Sequence, residues 1–240
     1  MSSSMKLFLS LFSLMVVSAI AGCGGGSMPT TMAGSTASVR VMQANATAQT
    51  ISVSADGTVI DSSLPYLSTS GYMMVNVGSQ VTASSPTFPP NVTLSAKINQ
   101  PANSHSTFIV DGWGAFGFSS FLVADDMTPP TTGNTKLRIV DAAMSNTGVD
   151  IYVLPTGNTP SGTPTFSGFA LNTASGYQTL APGNYDVFFT TSGTTTVLFQ
   201  APTITLAAGQ NRSLVMLNDC LPNTCNTGSS FRSTVLADLM

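Results

Sequence analysis

The chain has 240 residues and a formal net charge of -3 at pH 7. Only 7% of residues are charged, every acidic residue is Asp, and the basic set is Lys6, Lys97, Lys136, Arg40, Arg138, Arg212 and Arg232. This excludes a helix-rich protein, whose exposed faces are built from Glu, Lys, Gln and Arg. It also provides no cationic face for a phosphate backbone, so nucleic acid is excluded as a partner.

In chain order, the first element is an address. Lys6 precedes an apolar run over residues 7–21. The run is shorter than the ~20 residues a helix needs to span a bilayer, and it fits the h-region of a secretory signal. It ends in "IAGC", residues 20–23, which resembles a bacterial lipobox. The resemblance implies that residues 1–22 are a removed signal peptide and that the Cys23 thiol carries a diacylglycerol, with palmitate-type chains anchoring the protein to a membrane. Each buried CH₂ of such a chain is worth about 0.8 kcal/mol, and two or more chains hold stably. Residues 23–37 read as the lipidated cysteine and a Gly-rich tether, with a reach of about 20 Å. By the lipoprotein sorting rule, Gly24 implies the outer rather than the inner membrane, and the expected location is the cell envelope.

From Ser38 onward, apolar and polar residues alternate in short runs between Gly, Pro, Asn and Ser clusters, the pattern of antiparallel strands. "SVRVMQA" (38–44) places Val39 and Val41 on one face and Arg40 on the other; "KLRIVDA" (136–142) does the same with Leu137, Ile139 and Arg138. Further runs follow in both halves: "TISVSADG" and "VDIYVLPTG", then "STSGY" and "TASGY", then the closing strands "LVADDM" and "VLADLM". The chain therefore holds two copies of one unit. Seven or so strands in about 100 residues is the signature of an Ig-like sandwich. The expected fold is all-β: two tandem Ig-like antiparallel β-sandwich domains, residues 38–127 and 136–240, joined by a linker, 128–135, after the signal helix and tether. The alternative is one larger sandwich whose strands are shared between the halves.

Both halves resemble the bacterial envelope domain known only as domain-of-unknown-function family 4397. The second half carries its pattern at Leu137, Arg138, Ile139, Ala142, Val149, Asp150, Ile151, Tyr152, Tyr177, Gly183, Tyr185 and Val187; the first keeps Val39, Arg40, Val41, Ala44, Ile51, Val53 and Tyr72. The first half has Ser52 and Ser54 in place of the Asp and Tyr of the second run. The histidine common in the family after the first strand is Gln43 in one half and Asp141 in the other. The resemblance implies fold and envelope location, not chemistry.

Cys220 and Cys225 lie in one loop of an exported protein, where disulfides form, and a bond between them is expected. Closing so short a loop contributes roughly 2 kcal/mol. With one histidine and no spare cysteine, a zinc site of the usual kind is not expected. The matching hairpin of the first half, "DGWGAFGFSS", interleaves Trp113, Phe116 and Phe118 with glycines. These aromatics form either a recognition platform for an envelope polysaccharide or a surface protein, or a plug over the sandwich end. His105 reads as a solvent-exposed loop residue, Asp141 and Asp150 as turn or edge caps, and Asp125 and Asp126 as neighbours on opposite strand faces. Arg40 and Arg138 read as strand-surface or inter-sheet residues paired with a nearby Asp. No nucleophile elbow, phosphate loop or dinucleotide fingerprint occurs. The expected role is structural or binding, without catalysis, metal or cofactor.

Overall fold

The alternation in "SVRVMQ" and "KLRIVDA" forms strands in both halves of the computed structural model, which describes residues 35–89, 92–113, 117–144, 148–219 and 231–239. The first repeat contains β1 (Thr36–Gln43), β2 (Thr50–Ala55), β3 (Thr58–Pro65), β4 (Met73–Asn76), β5 (Gln80–Ser84), β6 (Leu94–Lys97), β7 (His105–Trp113) and β8 (Gly117–Asp125). The second contains β9 (Thr135–Ala142), β10 (Val149–Pro155), β11 (Phe166–Phe169), β12 (Thr173–Ala174), β13 (Gln178–Leu180), β14 (Gly183–Thr191), β15 (Val197–Gln200), β16 (Ile204–Leu206), β17 (Asn211–Asn218) and β18 (Phe231–Leu239). No described residue is helical. The expected signal helix, the lipidated Cys23 and residues 23–34 of the expected tether lie outside the described residues, whereas Thr36 and Ala37 at the tether's end belong to β1.

Each repeat is a sandwich. In the first, sheet β4-β1-β7-β8 faces sheet β3-β2-β5-β6. Val39, Val41, Ile51, Val53, Val81 and Phe108 lie in the core between them. In the second, β12-β9-β17-β18, with β13 also on β9, faces β11-β10-β14-β15, with β16 also on β14. Its core includes Leu137, Ile139, Ile151, Val187, Phe189 and Leu214. Among the described strands, no sheet mixes the two halves. The expected antiparallel pairing holds throughout the named ladders except at one place in each repeat, where the opening strand runs parallel to the penultimate one: β1 with β7 and β9 with β17.

The residues that replace the family's histidine have a local task. Gln43 Oε1 accepts from Asn45 N at 2.9 Å, and Asp141 Oδ1 accepts from Ala143 N at 2.9 Å. Both side chains are fully buried and turn the chain after the opening strand. The "SGY" motif is equally regular. The Ser70 hydroxyl accepts from Val41 N at 2.8 Å, and Ser175 from Ile139 N at 2.9 Å, so each serine satisfies an edge donor of its opening strand.

Val39 and Val41 face the first core, and Arg40 and Met42 point the other way. That second face is not solvent. Met42, Ala44, Ile109 and Val123 of the first repeat meet Val140, Ala142, Val215, Leu217 and Leu236 of the second in a third buried cluster. The sheets carrying β1 and β9 are thus covered on both sides, and both repeats belong to one compact unit, Gly34–Met240.

Candidate functional site at the seam between the repeats

Arg40 and Arg138 enter the seam from the opening strands, 4% and 2% exposed. Each reaches across to the other repeat. Arg40 pairs through Nη2 with Asp238 of β18, and Arg138 pairs through Nη2 with Asp125 of β8. Arg40 Nη1 donates to the Ala237 carbonyl at 2.7 Å, and Arg138 Nη1 to the Ala124 carbonyl at 2.6 Å. Each Nε stays at home: Arg40 donates to Thr107 Oγ1 at 2.8 Å, Arg138 to Ser213 Oγ at 2.6 Å. The motif tyrosines complete the symmetry. Arg40 stacks over Tyr72 and Arg138 over Tyr177, each 4.8 Å from the ring centre. Tyr72 Oη donates to Asp125 at 2.7 Å, and Tyr177 Oη to Asp238 at 2.9 Å. Thr107 and Ser213 donate to the same two carboxylates at 2.7 and 2.5 Å. Each of these hydrogen bonds and ring contacts has its counterpart under exchange of the repeats.

The two carboxylates are wholly buried, and Arg40 also lies 4.0 Å from Asp125. Burial pulls the Arg40 guanidinium's pKa down, and Asp238, Tyr72 and Asp125 around it together more than offset this, so it stands raised. Burial raises Tyr72 and Tyr177, keeping both phenols protonated as donors. Magnitudes separate two roles in the seam. A buried ion pair gains little net stability because desolvation cancels most of its attraction. Each fully buried Val, Leu, Ile or Met contributes roughly 1.5–3 kcal/mol. The third apolar cluster therefore supplies adhesion, and the crossed ion pairs set register. The seam opens on one side into a groove of about 480 Å³ lined by residues that include Phe121, Asp125, Arg138 and Tyr177.

At the hairpin end of the seam, Asp111 is 1% exposed. Its Oδ1 accepts from Gly112 N at 2.6 Å, and its Oδ2 has no hydrogen-bond partner among the described residues. Burial pushes this carboxyl well above the ordinary range, and the charge of Asp141 adds to the push. Asp150 behaves oppositely. Despite its desolvation, donation from Gly168 N and Gly193 N, both at 2.7 Å, and from Ser192 holds its carboxylate below the usual value. It staples two loops, as an edge cap does.

Of the sequence-derived candidates, Cys23, Phe116, Cys220 and Cys225 lie outside the described residues, as does the Trp113 side chain. Trp113 closes β7, its backbone paired opposite Gly117. Phe118 is half-buried and edge-on to Phe88, ring centres 4.9 Å apart, against the first core. His105 departs from its expected place. It opens β7 and is half-buried, with its ring edge-on to Tyr72 at 5.2 Å, because the strand begins earlier than the loop composition suggested. Asp126 diverges from Asp125 as alternation requires, pairing with Lys136 at 2.6 Å. Asp125 and Asp238 were the residues missed as partners of the arginines across the repeats. Their signal was the "AD" present in both closing strands.

No curated protein matches the chain. Among solved structures, the carbohydrate-binding module CBMbc (family CBM26) of Eubacterium rectale Amy13K, in complex with maltoheptaose, is 9% identical. The match covers 85% of this chain and 97% of that one, with a TM-score of 0.23. A leucine-rich repeat protein from Bacteroides thetaiotaomicron is 13% identical, covering 74% of this chain and 25% of that one, with a TM-score of 0.20. At these scores neither transfers fold or ligand. A family model matches twice, over residues 37–152 and 145–238. With two matches spanning nearly all of the described chain, and with the repeated arginine, Ser-Gly-Tyr and Ala-Asp elements in equivalent places, the protein belongs to the family described as domain of unknown function DUF4397.

Proposed function

We propose that this is a lipid-anchored protein of the bacterial cell envelope in which the paired sandwiches serve a structural or binding role without catalysis. The observation that carries the reading is the reciprocal exchange of Arg40–Asp238 and Arg138–Asp125. It commits two buried arginines and the carboxylates they meet to holding the repeats as one stiff body. Such a body on a Gly-rich tether suits presentation at a membrane, and the sequence supports outer-membrane attachment through Cys23. Growth of cells with a tagged fatty acid tests the anchor: the wild type labels and Cys23→Ala does not. Labelling of both, or of neither, removes the anchor from the proposal.

The β7–β8 hairpin favours a second reading. Its ladder runs unbroken to the pair Trp113–Gly117, so the two strands that lead to the glycine-rich aromatic stretch are paired along their whole length. Recognition of an envelope polysaccharide or surface protein there predicts red-shifted Trp113 fluorescence that changes on adding glycans. A blue-shifted, unresponsive signal counts against it.

A further inference from the structure

The two sandwiches differ at one edge. In the first, β6 lies against β8, and Leu94, Ala96 and Leu122 pack on the core beneath. In the second, a cleft of about 540 Å³ separates β16 from β18, with Ile204, Leu214 and Val235 among its walls. It continues into a space of about 450 Å³ bounded by Phe199 and Phe231, and Pro202, Ser233 and Thr234 line both parts. The rings of Phe199 and Phe231 stand 6.3 Å apart and bridge the sheets at that end.

Three properties narrow what fits. β18 is the last described strand of its sheet, and among the described residues no strand pairs with its outer edge, which presents backbone donors and acceptors. The wall is apolar, and Val235 is 42% exposed although it is flanked by β-strand neighbours. The charge is positive, with Arg212 in one part and Arg232 in the other, and no described lining residue is acidic in a chain of net charge -3. Among the described residues the Arg212 guanidinium makes only a long 3.4 Å hydrogen bond to Gln210, and Arg232 pairs with the half-exposed Asp219 at 2.9 Å.

We propose that this cleft is a docking site for an extended segment of a partner protein whose apolar side chains alternate with acidic ones, added as a strand to the free edge of β18. Strand addition takes affinity from main-chain hydrogen bonds and specificity from alternate side chains. A hydrocarbon chain would fill the apolar wall but leave the β18 edge unpaired. A basic segment would meet two guanidiniums. The inference names a partner class for the binding role above and does not depend on the anchor, because the Cys23→Ala chain retains the cleft.

The test is fluorescence polarisation of a fluorescein-labelled peptide of alternating valine and aspartate against the full chain. Saturable binding is expected, weakened about tenfold by Arg212→Gln and abolished by Val235→Glu, which sets a carboxylate in the cleft. Circular dichroism of each variant checks that it folds, and Arg212→Gln decides alone if Val235→Glu does not. A valine–lysine peptide is expected not to bind, and decanoate not to compete. No saturable binding of the aspartate peptide, equal binding of the lysine peptide, displacement by decanoate, or full affinity in the folded variants overturns the proposal.

Discussion

Replacing Arg138 by methionine keeps the length of the side chain and leaves Asp125 buried without its guanidinium. Removing one member of a buried pair costs about 3–5 kcal/mol, so Arg138→Met is expected to lower the urea midpoint by a corresponding amount. Adding Asp125→Asn to that variant restores part of the loss, because the orphaned charge is gone; a double-mutant cycle in urea reads the coupling. Asp111 gives a prediction of opposite sign. Its folded pKa lies above its unfolded one, so the native state holds a proton that the unfolded chain has released. The contribution of Asp111 to stability is then greatest at low pH and declines as pH rises from the unfolded value through the raised one. Asp111→Asn removes that decline, and its unfolding free energy should exceed the wild type's at neutral pH but match it near pH 3. The repeated Arg and Asp could be found by eye in the sequence. That the Asp111 carboxyl is pushed up could not, because its burial and the Asp141 charge on β9 of the other repeat both come from tertiary packing.

At the scale of elements, alternation located the strands well and their neighbours poorly. "KLRIVDA" reads as one apolar and one polar face. In the fold six of the last seven residues of β9 are buried, since a second sheet covers the face that carries Arg138. The turns record the duplication with different residues. Asn172 precedes β12 at φ 57°, a conformation asparagine tolerates, and the matching Leu67 adopts φ 65° at a steric cost. The hairpin at the end of β7 demands glycine for a different reason. A Cβ on Gly112 would lie 2.3 Å from Asn45 Nδ2 and 2.9 Å from the Gly117 carbonyl oxygen, at φ +151°. Asn45 in turn holds the Asp111 carbonyl at 3.1 Å. Gly112→Ala should therefore destabilise the protein by about 1–3 kcal/mol, seen as a lowered thermal midpoint, while Gly57→Ala, with open space around its Cβ, pays only for its left-handed backbone.

For the whole molecule, the third core and the crossed ion pairs make the repeats thermodynamic partners. Calorimetry should show one transition, with calorimetric and van't Hoff enthalpies equal; two separated transitions would mean that the seam does not couple them. The sequence by itself determined the strand-rich composition, the two copies, the family and the residues that recur in both. Those features are local, since side-chain alternation and turn chemistry are settled by neighbours along the chain. Only the tertiary structure decided that Arg40 answers to Asp238, 198 positions away, and Arg138 to Asp125. Alternation tells which face a side chain takes and nothing about what covers that face. The covering came from docking two like sheets with reciprocal contacts, where apolar area supplied the attraction and buried charge the register.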